Sequence, residues 1–440
     1  MSRETPIERR AVLRHAGGLT AALAGATLAP AANAQSFEAD AVYQSGVALL
    51  ERLGDTDARL RRDFSRLSDD FVRLNVRSAY GEILSRPGLE IRQRAIVNVA
   101  ATAAIANVLD ELRRQIVGAL QVGVTPREIV ETLIQLGPEV GFPVTQDALF
   151  LARDIFRERG VAADLDARNR PEGDAYDLGF ATLAEIGVPE HADNLDGLGD
   201  LGVDLDQLTV AFAYGEIYNR PGLDRATRAL VCLTAMIARG NRSDALAARV
   251  EMARRSGITT AQISELLIQM TIHVGWSEVL ASAAVMQATV ARPVALTTSR
   301  RMNSSRVPRQ DQAETDALAE RGLGTLMTLT GLGREGAREL FRGVAPDVGD
   351  YFVDFSYAAV FSRPGLDLKT RELATVSAMV ALGTGVSELP LRLHVIGALK
   401  AGATREEIGE TIFHMLPYVG FPAVRHALVI ASRAFANTPQ

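Results

Sequence analysis

Glu372 and His394, both in the C-terminal third of the chain, are the residues best suited by type and position to do chemistry. Each lies one helical turn before an apolar residue, Val376 for the glutamate and Ala398 for the histidine. A carboxylate and an imidazole buried in such surroundings are costly unless they pair. A paired acid and imidazole can transfer protons near neutral pH, as general acid–base catalysis requires. The alternative is a buried hydrogen-bonded pair that only fixes the register of two helices.

The elements that must position this pair belong to a sequence pattern that occurs three times. The pattern consists of an Arg-Pro-Gly-Leu tetrapeptide at residues 86–89, 220–223 and 363–366, and a glycine followed by an aromatic residue at 141–142, 275–276 and 420–421. About 55 residues separate the two anchors in every copy, a regularity typical of internal repeats. A tyrosine precedes each tetrapeptide at the same offset, as Tyr80, Tyr214 and Tyr357.

Comparison of the copies shows that the candidate pair belongs to the third one alone. Ala95 and Ala229 occupy the position of Glu372 in the first and second copies. Gln115 and Arg249 occupy the position of His394. The sequence therefore predicts at most one intact proton-transfer site, in the third repeat.

Other charged residues recur in every copy. They are the turn arginines Arg86, Arg220 and Arg363, the helix arginines Arg94, Arg228 and Arg371, and the glutamates Glu131, Glu265 and Glu410. Arginines of this kind either bind substrate carboxylates in a bidentate manner or tie neighbouring units together. Their presence in all copies favours the structural role for the turn arginines and for the glutamates.

Local signals in each copy predict helices. A threonine followed three residues later by Glu or Gln forms a capping box at Thr125–Glu128, Thr259–Gln262 and Thr404–Glu407. No stretch alternates with period two for long enough to form a sheet. We therefore expect an all-α protein, with a first repeat at 35–160, a second at 175–292, a surface linker at 293–311 and a third repeat at 312–440.

Composition excludes several function classes. The 440 residues carry a formal charge of −6 and are 47% hydrophobic, which argues against a disordered chain and against a nucleic-acid binder that works through bulk charge. Cys232 is the only cysteine, so a CxxC redox pair and a multi-cysteine metal cage are excluded. A metal site built from His394, His414 and His426 would need three helices to converge without any short ligand spacing, so we expect no metal.

Residues 1–34 resemble a twin-arginine export signal. Arg9-Arg10 precedes a weakly apolar stretch that runs from Ala16 to Pro30, and Ala32-Asn33-Ala34 offers a cleavage site. No later segment is apolar over the length needed to span a membrane. We expect the mature protein to be periplasmic or secreted by the twin-arginine route.

The third repeat resembles the carboxymuconolactone decarboxylase family, which also contains alkylhydroperoxidase D. The resemblance rests on residues 363–366, Thr370-Arg371-Glu372-Leu373, His394, Gly402–Thr404, and Tyr418 to Pro422. It implies a compact helical bundle that assembles as trimers or hexamers. Three fused copies in one chain would then take the place of a three-fold ring of separate protomers. Self-association of two chains would complete a pseudo-hexamer.

The resemblance implies a cofactor-free decarboxylase that acts on a small-molecule substrate, a lactone or oxo acid. Glu372 and His394 are then the proton-transfer residues, and Arg371, His414 and Tyr418 are candidates to orient the substrate carboxylate or an oxyanion. Two alternatives remain. A peroxidase of the alkylhydroperoxidase D type is disfavoured because the thiol pair is missing. The other alternative, a non-catalytic ligand-binding or scaffold protein, is supported by the loss of the pair from two repeats.

Overall fold

The computed structural model describes residues 40–55, 62, 64, 68–106, 108–161, 170–186, 200–240, 244–292, 312–383 and 388–436. All regular elements in these ranges are helices, which confirms the predicted all-α class. The first repeat contains α1 (Ala41–Arg52), α2 (Asp69–Asn75), π1 (Val76–Leu84), α3 (Ile91–Ile105), α4 (Leu109–Gln121), α5 (Pro126–Gln135), α6 (Gly137–Val140) and α7 (Phe142–Glu158).

The second and third repeats, like the first, have an arm helix before a π-helical segment and a helical bundle after it. The second contains α8 (Ala175–Ile186), α9 (Asp200–Leu208), π2 (Thr209–Ile217), α10 (Arg225–Ala238), α11 (Asp244–Arg255) and α12 (Thr260–Val290). The third contains α13 (Gln312–Thr330), α14 (Arg334–Leu340), α15 (Asp347–Tyr351), π3 (Phe352–Phe361), α16 (Leu368–Leu382), α17 (Glu388–Lys400), α18 (Arg405–His414) and α19 (Leu416–Ala436).

The predicted capping boxes begin α5, α12 and α18. In each, the threonine side chain accepts a hydrogen bond from the third helical residue, whose own side chain reaches back to the threonine backbone. The glycine of the second anchor has a positive φ in every copy: 88° at Gly141, 76° at Gly275 and 79° at Gly420. These values favour glycine, and they redirect the chain into the last long helix of the repeat.

An N-terminal arm helix packs closely against a π-helical segment in each repeat. A methyl group at Gly179 would lie 2.0 Å from the Val210 carbonyl oxygen, and one at Gly215 would lie 1.8 Å from that of Ala175. Gly46 with Gly81, and Gly322 with Ala358, make the corresponding approaches in the other repeats. The small residues therefore set the distance between the arm and the bundle, because any side chain there would meet backbone.

The first two repeats pack face to face through α3 and α10. Glu131 of the first repeat accepts hydrogen bonds from Arg220 at 2.9 Å and from Arg228 at 3.2 Å, and all three side chains are buried. Glu265 of the second repeat binds Arg86 and Arg94, both at 2.8 Å. The structural role that we favoured for the turn arginines is therefore the one that the first two repeats display.

The third repeat contacts both of its siblings. Phe142 of the first repeat, Phe212 of the second and Phe355 of the third meet with ring centroids 4.2–5.9 Å apart. Arg220 also binds Asp347 at 2.7 Å, which ties the second repeat to the third. The three units thus close on one another through a shared aromatic centre.

The predicted signal (1–34) and linker (293–311) lie outside the described residues and stay predictions. In the described part of the chain, no helix has the length and apolarity that crossing a bilayer requires.

We expect His273, at the interface between the first two repeats, to make the stability of the protein sensitive to pH. Its Nε2 lies 2.9 Å from Asn98 Oδ1, and burial lowers the pKa of His273 to about 4. Between that value and about 6.5, only the unfolded chain binds the proton, so stability must fall as the pH drops through this window. From pH 7 to pH 5 we expect a loss of about 1–2 kcal/mol that His273→Asn removes. The free energy of unfolding in urea at pH 7 and at pH 5 measures this loss. The matched control, His426→Asn, should show the same loss as the native protein. Equal losses in the His273→Asn and His426→Asn variants would contradict the assignment.

Candidate active site

Glu372 and His394 meet in the structure. The glutamate lies on the buried face of α16 and the histidine on the facing side of α17, with His394 Nδ1 2.9 Å from Glu372 Oε2. The carboxylate side chain is 1% exposed and the imidazole 20% exposed. The glutamate can therefore reach a ligand only through the histidine, whose Nε2 remains available because Nδ1 contacts the carboxylate.

Gly397 provides the space for this carboxylate. A methyl group on Gly397 would lie 2.9 Å from Glu372 Oε1. We expect Gly397→Ala to cost about 1–3 kcal/mol, because the carboxylate must shift in a closely packed site. The destabilisation caused by Gly397→Ala should be smaller in a chain that also carries Glu372→Ala, since alanine is the residue at this position in the first two repeats. Urea unfolding of the four chains of this cycle measures the coupling, and an additive result would show that the two residues do not compete for space.

A cavity of about 280 Å³ adjoins the histidine. It is enclosed by the third repeat and by the start of α7 in the first repeat, which contributes Phe142, Pro143 and Gln146. Most of its wall is apolar; the polar side chains at the wall are Gln146, Thr330, Ser356, Tyr357, Thr375 and His394. The lining includes no lysine, arginine or carboxylate, so His394 is the lining residue whose side chain can both donate and accept a proton.

Tyr357 is a site residue that the sequence analysis did not propose. It lies in π3, lines the cavity and is buried. Burial raises the pKa of the Tyr357 hydroxyl, and the nearby Glu372 carboxylate raises it further, so the group stays a neutral hydrogen-bond donor. Its recurrence as Tyr80 and Tyr214 indicated a structural role, and nothing in the sequence showed that Tyr357 lines a cavity.

The predicted substrate-orienting residues lie elsewhere within the single chain. Arg371 donates to the Arg363 carbonyl at 2.8 Å and to the Leu366 carbonyl at 3.1 Å, so it braces its own turn. His414 and Tyr418 are exposed and adjacent, with ring centroids 6.1 Å apart. None of the three is among the residues that line the cavity.

Residues of other types occupy the positions of Glu372 and His394 in the first two repeats. In the second repeat, Arg249 donates to Tyr214 and to Glu139 of the first repeat, the latter at 2.7 Å. In the first repeat, Gln115 donates to Glu111. Because Ala95 and Ala229 replace the carboxylate, neither repeat contains the acid–imidazole pair.

Cys232 is unsuited to redox chemistry. It is buried, as predicted, and Gln135 Nε2 lies 3.3 Å from its sulfur. Burial raises the pKa of the Cys232 thiol, which disfavours the reactive thiolate. Within the described ranges, no group of three or more His, Cys, Asp or Glu side chains is arranged to hold a metal ion.

Comparison with known families identifies the repeats. The carboxymuconolactone decarboxylase family matches residues 69–154, 204–288 and 346–433, which together make up more than half of the chain. The chain belongs to this family. Its three carboxymuconolactone decarboxylase domains coincide with the bundles described above, and the acid–imidazole pair lies in the third.

Individual relatives match one domain's length of the chain. An uncharacterised 15.0 kDa protein of Paracoccus denitrificans is 41% identical over 94 residues, which cover 21% of this chain and 69% of that protein. The 4-carboxymuconolactone decarboxylase of Acinetobacter baylyi is 35% identical over 91 residues, 21% of this chain and 66% of the relative. Nitrosuccinic acid decarboxylase of Metarhizium robertsii is 30% identical over 105 residues, 23% and 71% of the two chains.

Proposed function

We propose that the third domain is a cofactor-free decarboxylase for a small carboxylic acid. The observation that carries the proposal is the Glu372–His394 contact at the wall of a largely apolar cavity. Membership of the family supports it, as do two relatives named as decarboxylases. Their named substrates, a carboxylated lactone and a nitro diacid, both carry an electron-withdrawing group besides the carboxylate.

The substrate class follows from this shared chemistry. Loss of CO2 leaves an electron pair on carbon, which needs an acceptor in the substrate when no cofactor supplies one. A carbonyl or nitro group close to the carboxylate can accept that pair. The cavity of about 280 Å³ suits such a small molecule.

In the proposed reaction, the bond between the carboxyl carbon and its neighbour breaks and CO2 leaves. The electron pair moves into the carbonyl or nitro group of the substrate. Nε2 of protonated His394 then donates its proton to the carbon, and Glu372 stabilises the imidazolium through Nδ1. Solvent returns the proton to the histidine after product release.

The cavity wall assists this sequence in two ways. Tyr357, a neutral phenol at the wall, can donate a hydrogen bond to the oxygen on which negative charge develops. The apolar residues exclude water, which strengthens every electrostatic interaction with the reacting groups.

Release of CO2 tests the function directly. Purified protein is incubated with carboxylated lactones, oxo acids and nitro acids, and CO2 is trapped and counted. Turnover of at least one class that exceeds the rate without protein supports the proposal. Thermal stabilisation by these acids without CO2 release would instead indicate a binding protein.

We also propose that residues 1–34 direct export by the twin-arginine route. Arg9→Lys combined with Arg10→Lys should keep the protein in the cytoplasmic fraction, because the paired arginines are the feature that the route recognises. Cell fractionation measures the distribution, and Arg14→Lys is the control. Unchanged export of the double variant would contradict this proposal and leave the decarboxylase proposal untouched.

A further inference from the structure

Four polar groups at the wall of the cavity have no hydrogen-bond partner among the described residues. Gln146 of α7 is 6% exposed, and its amide makes no hydrogen bond to any residue that the structure describes. The same is true, within the described ranges, of the Ser356 and Tyr357 hydroxyls and of Nε2 of His394. Unsatisfied polar groups in a buried site cost free energy, so these four groups indicate a ligand that hydrogen bonds to them.

The two threonines at the wall differ from these groups. The Thr330 hydroxyl donates to the Leu326 carbonyl at 2.8 Å, and the Thr375 hydroxyl donates to the Arg371 carbonyl at 2.8 Å. Both hydroxyl protons are therefore engaged within their own helices. The donors left for a ligand are an amide, two hydroxyls and an imidazole, a set that suits a ligand rich in acceptor oxygens, as a carboxylic acid with a second electron-withdrawing group is.

The cavity provides no cation for a second negative charge on the ligand. Among the described residues that line it, none is a lysine or an arginine. Arg334 and Arg338 of α14, a helix that forms part of the wall, both bind Asp350, at 3.1 Å and 2.9 Å. Protonated His394 is paired with Glu372, so this pair has no net charge. A second carboxylate in the cavity would therefore lose hydration without gaining a counter-ion.

The apolar part of the wall is rich in aromatic rings. The Phe142 ring of the first domain lies 5.2 Å from that of Phe352 and 5.9 Å from that of Phe355, measured between centroids. Phe361 stacks on the His394 imidazole, with the two planes 21° apart. Aromatic side chains favour offset and edge-to-face contacts with other rings. The wall therefore suits a ligand with an apolar body that contains a ring.

Gln146 differs from its counterparts in the other two domains. Leu280 and Arg425 occupy its position, five residues after the glycine of the second anchor, and both are exposed. Gln146 is instead buried at the wall of a cavity that belongs largely to another domain. The amide is thus specific to the place where the first domain meets the candidate active site.

We propose that the substrate is a monocarboxylic acid with an apolar, ring-containing body, and that Gln146 of the first domain binds its carboxylate. The inference rests on the proposed function, which assigns His394 to proton transfer and Tyr357 to the developing negative charge on oxygen. The two N–H groups of the Gln146 amide, together with the Ser356 hydroxyl, are then the donors left for the carboxylate. The first domain, which lacks the acid–imidazole pair, would supply a binding residue to the third.

A neutral amide suits a carboxylate that leaves as CO2. Negative charge moves away from the carboxylate as the carbon–carbon bond breaks. A cation that binds this charge strongly would stabilise the bound substrate more than the transition state, which slows the reaction. The Gln146 amide orients the carboxylate through hydrogen bonds without adding a positive charge.

Analogues that cannot lose CO2 test the charge preference separately from the reaction. Isothermal titration calorimetry of the full chain compares 3-phenylpropanoate with derivatives that carry a carboxylate or a carbamoyl group at the para position of the ring. The two derivatives are alike in size and differ in charge. We expect the para-carboxylate to bind about 100-fold more weakly than the para-carbamoyl compound, because its second charge finds no counter-ion. A difference below tenfold, or no binding of 3-phenylpropanoate at millimolar concentration, would overturn the proposal.

Gln146→Met tests the role of the amide, since methionine keeps the length of the side chain and removes both N–H groups. We expect the Kd of 3-phenylpropanoate to rise about 10–100-fold, the effect of losing hydrogen bonds to a charged group. The Kd of 3-phenylpropan-1-ol, which has the same body without the charge, should stay unchanged and thereby show that the cavity is intact. Gln121→Met, at an exposed glutamine of the same domain, should alter neither Kd. An unchanged Kd of the acid, or an equal loss for the alcohol, would overturn the assignment of Gln146.

Turnover distinguishes this inference from the proposed function. 3-Oxo-3-phenylpropanoate has the body of the analogue and the carbonyl that can accept the electron pair when CO2 leaves. If the analogues bind with the expected preferences but neither this acid nor the other acids tested release CO2, the proposed function alone is refuted. If CO2 is released but the charge preference and the effect of Gln146→Met are both missing, this inference alone is refuted.

Discussion

Glu372→Gln should lower the rate of CO2 release by about 10²–10⁴-fold, the range that general acid–base catalysis contributes. Glutamine keeps the size of the side chain and can still accept a hydrogen bond from Nδ1 of His394. It lacks the negative charge that stabilises the imidazolium, so the variant loses the electrostatic support for proton transfer through the histidine. His394→Ala removes the donor itself and should have at least as large an effect. Single-turnover measurement of CO2 release separates this loss from any change in substrate binding.

The double variant provides the sharper test of this pair. Residues that act as one unit have non-additive effects, so Glu372→Gln/His394→Ala should be no slower than His394→Ala alone. Glu406→Gln and His426→Gln, which change the same residue types elsewhere in the domain, should leave the rate unchanged. Multiplicative losses in the double variant would mean that the glutamate acts on something other than the histidine, and unchanged rates in the single variants would contradict the site.

Glu131→Ala should destabilise the protein by about 3–5 kcal/mol, the cost of leaving buried charges without their partner. Arg220 and Arg228, which both bind this carboxylate, are fully buried and cannot reach water when it is lost. Asp347 would still pair with Arg220, but Arg228 would keep only hydrogen bonds to carbonyl and amide groups. The free energy of unfolding in urea measures the effect.

Glu265→Ala is the matched comparison on the other half of the same interface. Of its two arginines, the Arg94 side chain is 2% exposed but that of Arg86 is 42% exposed. Arg86 can therefore regain hydration, and we expect a loss smaller by about 1–2 kcal/mol. Equal losses at both glutamates would show that burial of the second arginine does not set the cost.

Helical geometry explains how much of the candidate site could be predicted from the sequence. The spacing of apolar residues placed Glu372 and His394 on inward faces of their helices, and the structure joins them at 2.9 Å. His414 and Tyr418 were expected beside them from the family resemblance, and neither is among the residues that line the cavity. The sequence could not show this, since the residues that line a cavity depend on how distant segments pack.

The amino-acid sequence by itself determined the triplicated helical architecture, the capped helix starts and the restriction of the acid–imidazole pair to one domain. These features depend on local periodicity and on comparison between copies, which short-range rules describe well. Only the tertiary structure decided that Phe142 of the first domain and Tyr357 of the third line the same cavity, and that the side chain of Glu410 is exposed. Those outcomes depend on packing between segments far apart in the chain. That packing determines which side chains are buried and which charges pair.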